Sequence, residues 1–275
     1  LSEWLNLIVR WVHVFAGILW VGQTYFFTWL DGRFAAEEQA GHKESPGEQA
    51  RYTASGQVWM VHSGGFYSVE KQPVTAVPGK LHWFRWEAAV TWLSGMALLA
   101  IVYYAGGALV DDTVADISLR TGIGIGLGLL LAAWFVYDLL WRSPLGQSEV
   151  VAACVSFILL VGVGFGLSKV LSGRAAYMHV GALMGTLMAA NVWLRILPAQ
   201  RRLIEAAPGG KKPDAAFAIQ AKFRSKHNTY MAVPVVFIML SNHFPTATYG
   251  HKYNWIILAA LILLGWAAAK LVRRA

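Results

Sequence analysis

EVVAACVSFILLVGVGFGLSKVL, residues Glu149–Leu171, runs for 23 residues with charges only near its ends, at Glu149 and Lys169. About 20 apolar residues in a helix cross the roughly 30 Å hydrocarbon core of a bilayer, so this stretch reads as a transmembrane helix. Working outward from it, six further runs have the same character: Trp4–Leu30, Leu81–Tyr104, Leu119–Trp141, Ala175–Leu197, Thr229–Phe244 and Trp255–Val272. The expected fold is therefore all-α, a polytopic transmembrane bundle of about seven helices forming one integral membrane domain over residues 1–275. The run at Thr229–Phe244 is short and contains Pro234, which predicts a kink or partly unwound stretch facing protein.

Composition agrees. Hydrophobic residues make up 56% of the 275 and charged residues 14%, where a soluble domain carries roughly 25% charged. The one cysteine, Cys154, lies inside the quoted run. It excludes a disulfide framework, a cysteine-based metal cluster and covalent c-type haem attachment within these residues. The net charge of +8 does not imply nucleic acid, because the positive charge gathers in loops on one side. Sixteen Lys and Arg fall in the loop 31–80, at Arg142, in the loop 198–228 and in the tail, against about four on the opposite side. The positive-inside rule then places both loops in the cytoplasm and the start of the chain outside.

Neither cytoplasmic loop reads as a plain linker. Residues 58–71, VWMVHSGGFYSVEK, are too hydrophobic for disorder and are expected to pack against helix ends. Residues 214–226, DAAFAIQAKFRSK, read as an interfacial amphipathic helix. The glycines of GIGIGLG (122–128) sit in an apolar span rather than between strand and helix, so they are not a dinucleotide fingerprint. Their simplest role is close helix packing.

Ionisable groups at membrane depth are costly and mark function. At ~1.5 Å per residue along each helix they sort into two layers. The outer layer holds His13, His179, His243 and His251. Neutral imidazoles on different helices at matched depth suit a b-type haem, which assigns His13 and His179 as iron ligands with His243 in reserve. Gly17 shares a face with His13 and would admit a flat macrocycle. Arg10 and Arg174 are placed to meet haem propionates. The inner layer is denser: His82, Trp83, Arg85, Trp86 and Glu87 open the second span, Asn191 lies near the end of the fifth, and His227 and Asn228 precede the sixth. A buried Glu must pair or take up a proton, so this layer reads as a second haem site, a small-molecule site or a proton path.

Four strings carry a resemblance: WVHVFAGILWVG (11–22), LHWFRWEAAVTWLSG (81–95), MHVGALMGTLMAANVWLRILPAQ (178–200) and RSKHNTYMAVPVVFIMLSNHFP (224–245). Together they resemble the membrane domain of the bacterial PuuD-type urate hydroxylases, the membrane urate oxidases. The resemblance implies a bacterial inner-membrane oxidoreductase of purine degradation. It would oxidise urate to 5-hydroxyisourate and pass electrons through one or two haems b to a cytochrome c. Members carry that cytochrome as a C-terminal domain. The chain shows no Cys-X-X-Cys-His motif, so the cytochrome is expected as a separate domain or subunit. In the catalytic reading Glu87 is the base, with His82 and Arg85 beside it, and Asn191, His227, Asn228, Trp83 and Trp86 bind urate. The alternative is a non-catalytic haem-bearing or scaffold subunit of a larger electron-transfer complex.

Overall fold

The computed structural model describes residues 2–44, 57–71, 81–206 and 214–273. The remaining parts of the two basic loops, residues 45–56, 72–80 and 207–213, lie outside the described residues, so expectations about them stand as stated. The fold is a transmembrane helix bundle. Its elements are α1 (Ser2–Glu44), β1 (Gln57–His62), β2 (Gly65–Glu70), α2 (Trp86–Leu99), α3 (Leu119–Arg142), α4 (Glu149–Ser168), α5 (Gly173–Asn191), α6 (Leu197–Ala206), α7 (Ala215–Leu240) and α8 (Asn254–Val272). A π-helical turn at Ala100–Tyr104 extends α2, and another at Val192–Ile196 joins α5 to α6 in one rod.

Six of the rods are long and apolar enough to cross a membrane: Glu3–Ala36, Trp86–Tyr104, α3, α4, Gly173–Ala206 and α8. The seventh rod is α7, whose basic first half lowers its apolarity. Here the structure corrects a boundary. The segment 214–226 is not a separate interfacial helix but the first half of α7, continuous with the predicted span. Asp214 starts it by accepting from the Ala216 N–H at 2.9 Å, satisfying one of the free N–H groups of the first turn. Ser118, Ser148 and Ser172 cap α3, α4 and α5 in the same way. Pro234 lies within α7, and Gly265 of α8 packs on it. A Cβ at Gly265 would fall 2.8 Å from the Pro234 nitrogen, so the two helices meet there because position 265 has no side chain.

α5 is the centre of the bundle. Thirteen of its nineteen residues are buried, whereas only 6% of the apolar window of α1 is buried. α1 therefore sits at the periphery, with Trp4, Leu7, Ile8 and Trp11 turned outward, the exposure expected of a lipid-facing helix. At 43 residues α1 is roughly 64 Å long, about twice the hydrocarbon thickness. Its second half projects from the basic-loop end.

β1 and β2 form an antiparallel hairpin, registered from Gln57↔Glu70 to His62↔Gly65. The two turn residues, Ser63 and Gly64, have φ of 50° and 77°, the paired positive values of a tight primed turn. The hairpin packs on the projection of α1 through Leu30, Phe34 and Val58, with Met60 and Val69 alongside. Only one face of 58–71 is used against α1; Trp59, Val61, Phe66 and Tyr67 stay exposed, in a strand pairing that the all-α expectation did not contain.

Candidate functional site

Two cavities flank α5. The larger, about 750 Å³, lies between α1, α2, α5 and α7, within the roughly 300–1,000 Å³ of small-molecule and cofactor sites. It is lined by His13, His243, Arg10 and Arg174 at one end and by apolar side chains elsewhere. His13 Nδ1 is 2.9 Å from the Thr91 carbonyl and 3.2 Å from Ser94 Oγ. A ring held through Nδ1–H keeps Nε2 as its basic nitrogen, the arrangement that orients metal-binding imidazoles. Gly22 and Gly185 also line the cavity, and a Cβ at either would meet nothing within 4 Å, so these positions leave flat, open wall. Arg174 donates to Asn242 Oδ1 at 2.8 Å and lies over the Tyr103 ring.

His179, expected as the partner of His13, does not line this cavity. His179 is fully buried, with Nδ1 2.8 Å from the Ala175 carbonyl and Nε2 3.2 Å from the Tyr104 hydroxyl. Both ring nitrogens are thereby engaged. Its face is pressed to α3, where a Cβ at Gly126 would fall 2.6 Å from Nε2. Matched depth along a helix does not fix which side of that helix a residue occupies, and His179 faces α3 rather than the cavity that His13 lines. The histidine that shares the cavity with His13 is the exposed His243. Arg10 is exposed as well and donates to Asn6 at 3.1 Å.

The inner layer resolves into two clusters. The first lies where α2 begins. Glu87 Oε1 accepts from Gln23 Nε2 at 3.1 Å, while Glu87 Oε2 is buried with no partner. Arg85, the N-cap residue of α2, has a buried, unpartnered Nε and its guanidinium 5.4 Å from the Trp86 ring. Trp83 is half-buried, Trp86 is largely exposed beside Trp193, and His82 is exposed against Phe84. No side chain caps α2, so its first-turn N–H groups favour an anion. This cluster adjoins the large cavity. The cavity follows α1 from Arg10 to Gly22, about 18 Å at the helical rise, and ends one residue short of Gln23.

The second cluster lies across α5, among α3, α5 and α7. Asn191 Nδ2 donates to the Tyr137 hydroxyl and to Asn228 Oδ1, both at 2.9 Å. Asn228 donates onward to the Met188 carbonyl at 3.0 Å. The Tyr137 hydroxyl is 2.6 Å from His227 Nδ1. Its oxygen also accepts from Asn191, so the phenol links the amide network to the imidazole. Behind Tyr137, Asp138 binds Arg195, Arg224 and, at 3.4 Å, Arg142. Arg224, counted from sequence among the loop charges, is buried inside the bundle. Among the described residues no hydrogen bond joins this cluster to Glu87. Asn191, Asn228 and His227 thus form a hydrogen-bonded group distinct from the Gln23–Glu87 pair, while Trp86 of the first cluster packs on Trp193, two residues beyond Asn191.

Sequence reasoning missed Gln23, Tyr137, Arg195 and the buried role of Arg224. The signal for part of it was present: Asp138 and Arg142 stand four residues apart, a spacing that pairs charges on one helical face. Among the described residues no group of three or more His, Cys, Asp or Glu could hold a bare metal ion. A haem is a different case. The histidine-lined cavity offers imidazole ligands, open glycine wall and two arginines near one end, and these features fit the group.

No curated protein and no solved structure matches the chain. A family model described as "Urate oxidase N-terminal" matches residues 1–274. That span covers α1 to α8 and both polar clusters, and the chain belongs to the urate oxidase N-terminal family.

Proposed function

We propose that this chain is a membrane oxidoreductase that binds urate at the start of α2 and oxidises it to 5-hydroxyisourate. The observation that carries the assignment is a pair of buried, unpartnered polar atoms, Glu87 Oε2 and Arg85 Nε, in a chain of this family. Urate at neutral pH is a flat monoanion rich in hydrogen-bonding groups. Arg85 supplies a planar cation, the uncapped α2 terminus supplies N–H groups, and Trp83 and Trp86 supply aromatic faces. The reaction adds water to urate and releases two protons and two electrons. Glu87, with one oxygen fixed by Gln23 and the other unpartnered, takes a proton from the attacking water or from urate. His82 lies at the exposed edge, where it exchanges that proton with solvent.

A b-type haem fits the large cavity, with His13 and His243 as ligands and Arg10 and Arg174 toward its propionates. When bound, it would supply one-electron transfer toward a cytochrome c, in a separate domain or subunit. The run of the cavity down α1 toward Gln23 favours this reading, because it brings the far wall of the haem site to the residue that holds Glu87. Gln23 here is a positioning residue. The start of the chain and the His13 end face outside in this account, and the basic loops face the cytoplasm.

The test is a comparison of urate binding with urate turnover in protein reconstituted in lipid nanodiscs. Glu87→Gln is expected to bind urate and to lose on the order of 10²-fold or more in turnover. Arg85→Leu is expected to lose binding first. A Glu87→Gln protein that turns over urate at the wild-type rate removes Glu87 from the role of base.

A further inference from the structure

The second cavity, about 630 Å³, lies on the other side of α5, among α3, α4, α7 and α8. α5 is the partition: Leu183, Met184 and Leu187 line this cavity, while Gly181, Gly185 and Met188 line the histidine-bearing one. The two spaces are thus about one helix diameter apart, roughly 10–12 Å. The mouth of the second cavity lies between α3 and α4, where its lining residues Val136, Val150 and Leu159 are 49%, 73% and 43% exposed. These are apolar side chains on membrane-spanning helices, so the mouth opens to lipid.

Toward the basic-loop end the lining becomes polar. Tyr137 and His227, joined at 2.6 Å, line it, and the His227 ring lies 4.1 Å from the Trp141 ring, which also lines it. Two more lining residues carry buried polar atoms with no partner: Ser156 Oγ on α4 and Trp266 Nε1 on α8. Tyr137, Ser156 and Trp266 lie five, seven and six residues from the basic-end termini of their helices, a common depth of roughly 8–10 Å. Lys226 at the same end is neutralised by Glu149 at 2.5 Å. A buried indole N–H is a donor only and requires an acceptor.

We infer that this cavity binds a membrane-dissolved quinone. The occupant must enter from lipid, present a carbonyl oxygen to the Trp266 N–H, lay a flat ring among Trp141, Tyr137 and His227, and trail an apolar tail out between α3 and α4. A phospholipid would instead set its phosphate on the exposed Lys270 at the rim, leaving Trp266 and Ser156 unsatisfied. The Tyr137–His227 pair places an exchangeable proton beside the quinone, as reduction requires. Resting on the proposed urate chemistry, the electrons balance: urate and water give 5-hydroxyisourate, two protons and two electrons, and quinone takes up two of each to give quinol, as an acceptor that competes with cytochrome c for the same electrons.

The test uses the full chain in quinone-free nanodiscs and a short-tailed benzoquinone bearing a photoreactive azide. Labelling is expected within 119–142, 149–168 and 254–272, and excess untagged benzoquinone should displace it. Trp266→Phe, which keeps the ring and removes the donor, should weaken binding about 3- to 10-fold, and Lys270→Gln should leave it unchanged. Labelling elsewhere, or equal displacement by phosphatidylglycerol together with sensitivity to Lys270→Gln and not Trp266→Phe, overturns the assignment. Binding is measured without urate, so the two readings fail separately: loss of labelling at this site overturns the quinone assignment, whereas urate oxidation is read independently by reduction of added cytochrome c.

Discussion

Replacing Asp138 with Asn tests the energetics of the bundle most sharply. The Asp138 carboxylate is 6% exposed and is the shared partner of Arg195 and Arg224. Arg224 is 3% exposed and lies 5.0 Å from the Tyr137 ring, so it has no route to water when its partner is neutralised. Removing one member of a buried ion pair costs about 3–5 kcal/mol, because the other charge stays buried and uncompensated. The introduced amide also turns a donor toward a guanidinium that itself only donates. For a chain of this size such a loss lowers the unfolding midpoint by roughly 6–20 °C. The matched control is Arg142→Gln. Arg142 binds the same carboxylate at 3.4 Å, but its side chain is 61% exposed, and an exposed pair is worth under about 1 kcal/mol. Thermal unfolding of the detergent-solubilised variants, followed by tryptophan fluorescence, gives the comparison. An Asp138→Asn protein within about 1 kcal/mol of Arg142→Gln would refute the view that the Asp138–Arg224 pair is desolvated.

Gly126→Ala should destabilise the bundle by about 1–3 kcal/mol, because the new Cβ lands on His179 and within 3.0 Å of the Tyr104 hydroxyl; a Gly124→Ala control, with nothing within 4 Å of its Cβ, should be near neutral in the same melt. His13→Ala and His243→Ala should each abolish or shift the haem absorption bands, whereas His179→Ala should keep them; loss of the bands in His179→Ala alone would return His179 to the ligand set. Cysteine placed at Asp112 should be labelled by an impermeant thiol reagent from outside intact cells, and cysteine at Lys211 should not; the reverse pattern inverts the topology.

Much of the fold was legible because membrane spans are written in long apolar runs. α3, α4 and α8 begin and end within a few residues of the expected positions. The start of α7 was not legible, because a basic helix protruding from a membrane and a separate interfacial helix have the same composition. The hairpin was read only as a hydrophobic segment, although Ser63-Gly64 between two strand-like runs is a turn signal. In the site, counting residues along a helix could not give azimuth: it could not tell that His179 turns toward Gly126. Arg224 was misread for a related reason: charge in a basic stretch implies solvent until a partner such as Asp138, 86 positions away, is seen to meet it.

The most direct measurement is anaerobic addition of urate to the purified, haem-loaded chain with cytochrome c present. Urate consumption, 5-hydroxyisourate formation and cytochrome reduction are followed together. The account predicts two cytochromes c reduced per urate consumed, with activity depending on Glu87. Intact, haem-loaded protein that neither consumes urate nor reduces an acceptor when urate is added would contradict it.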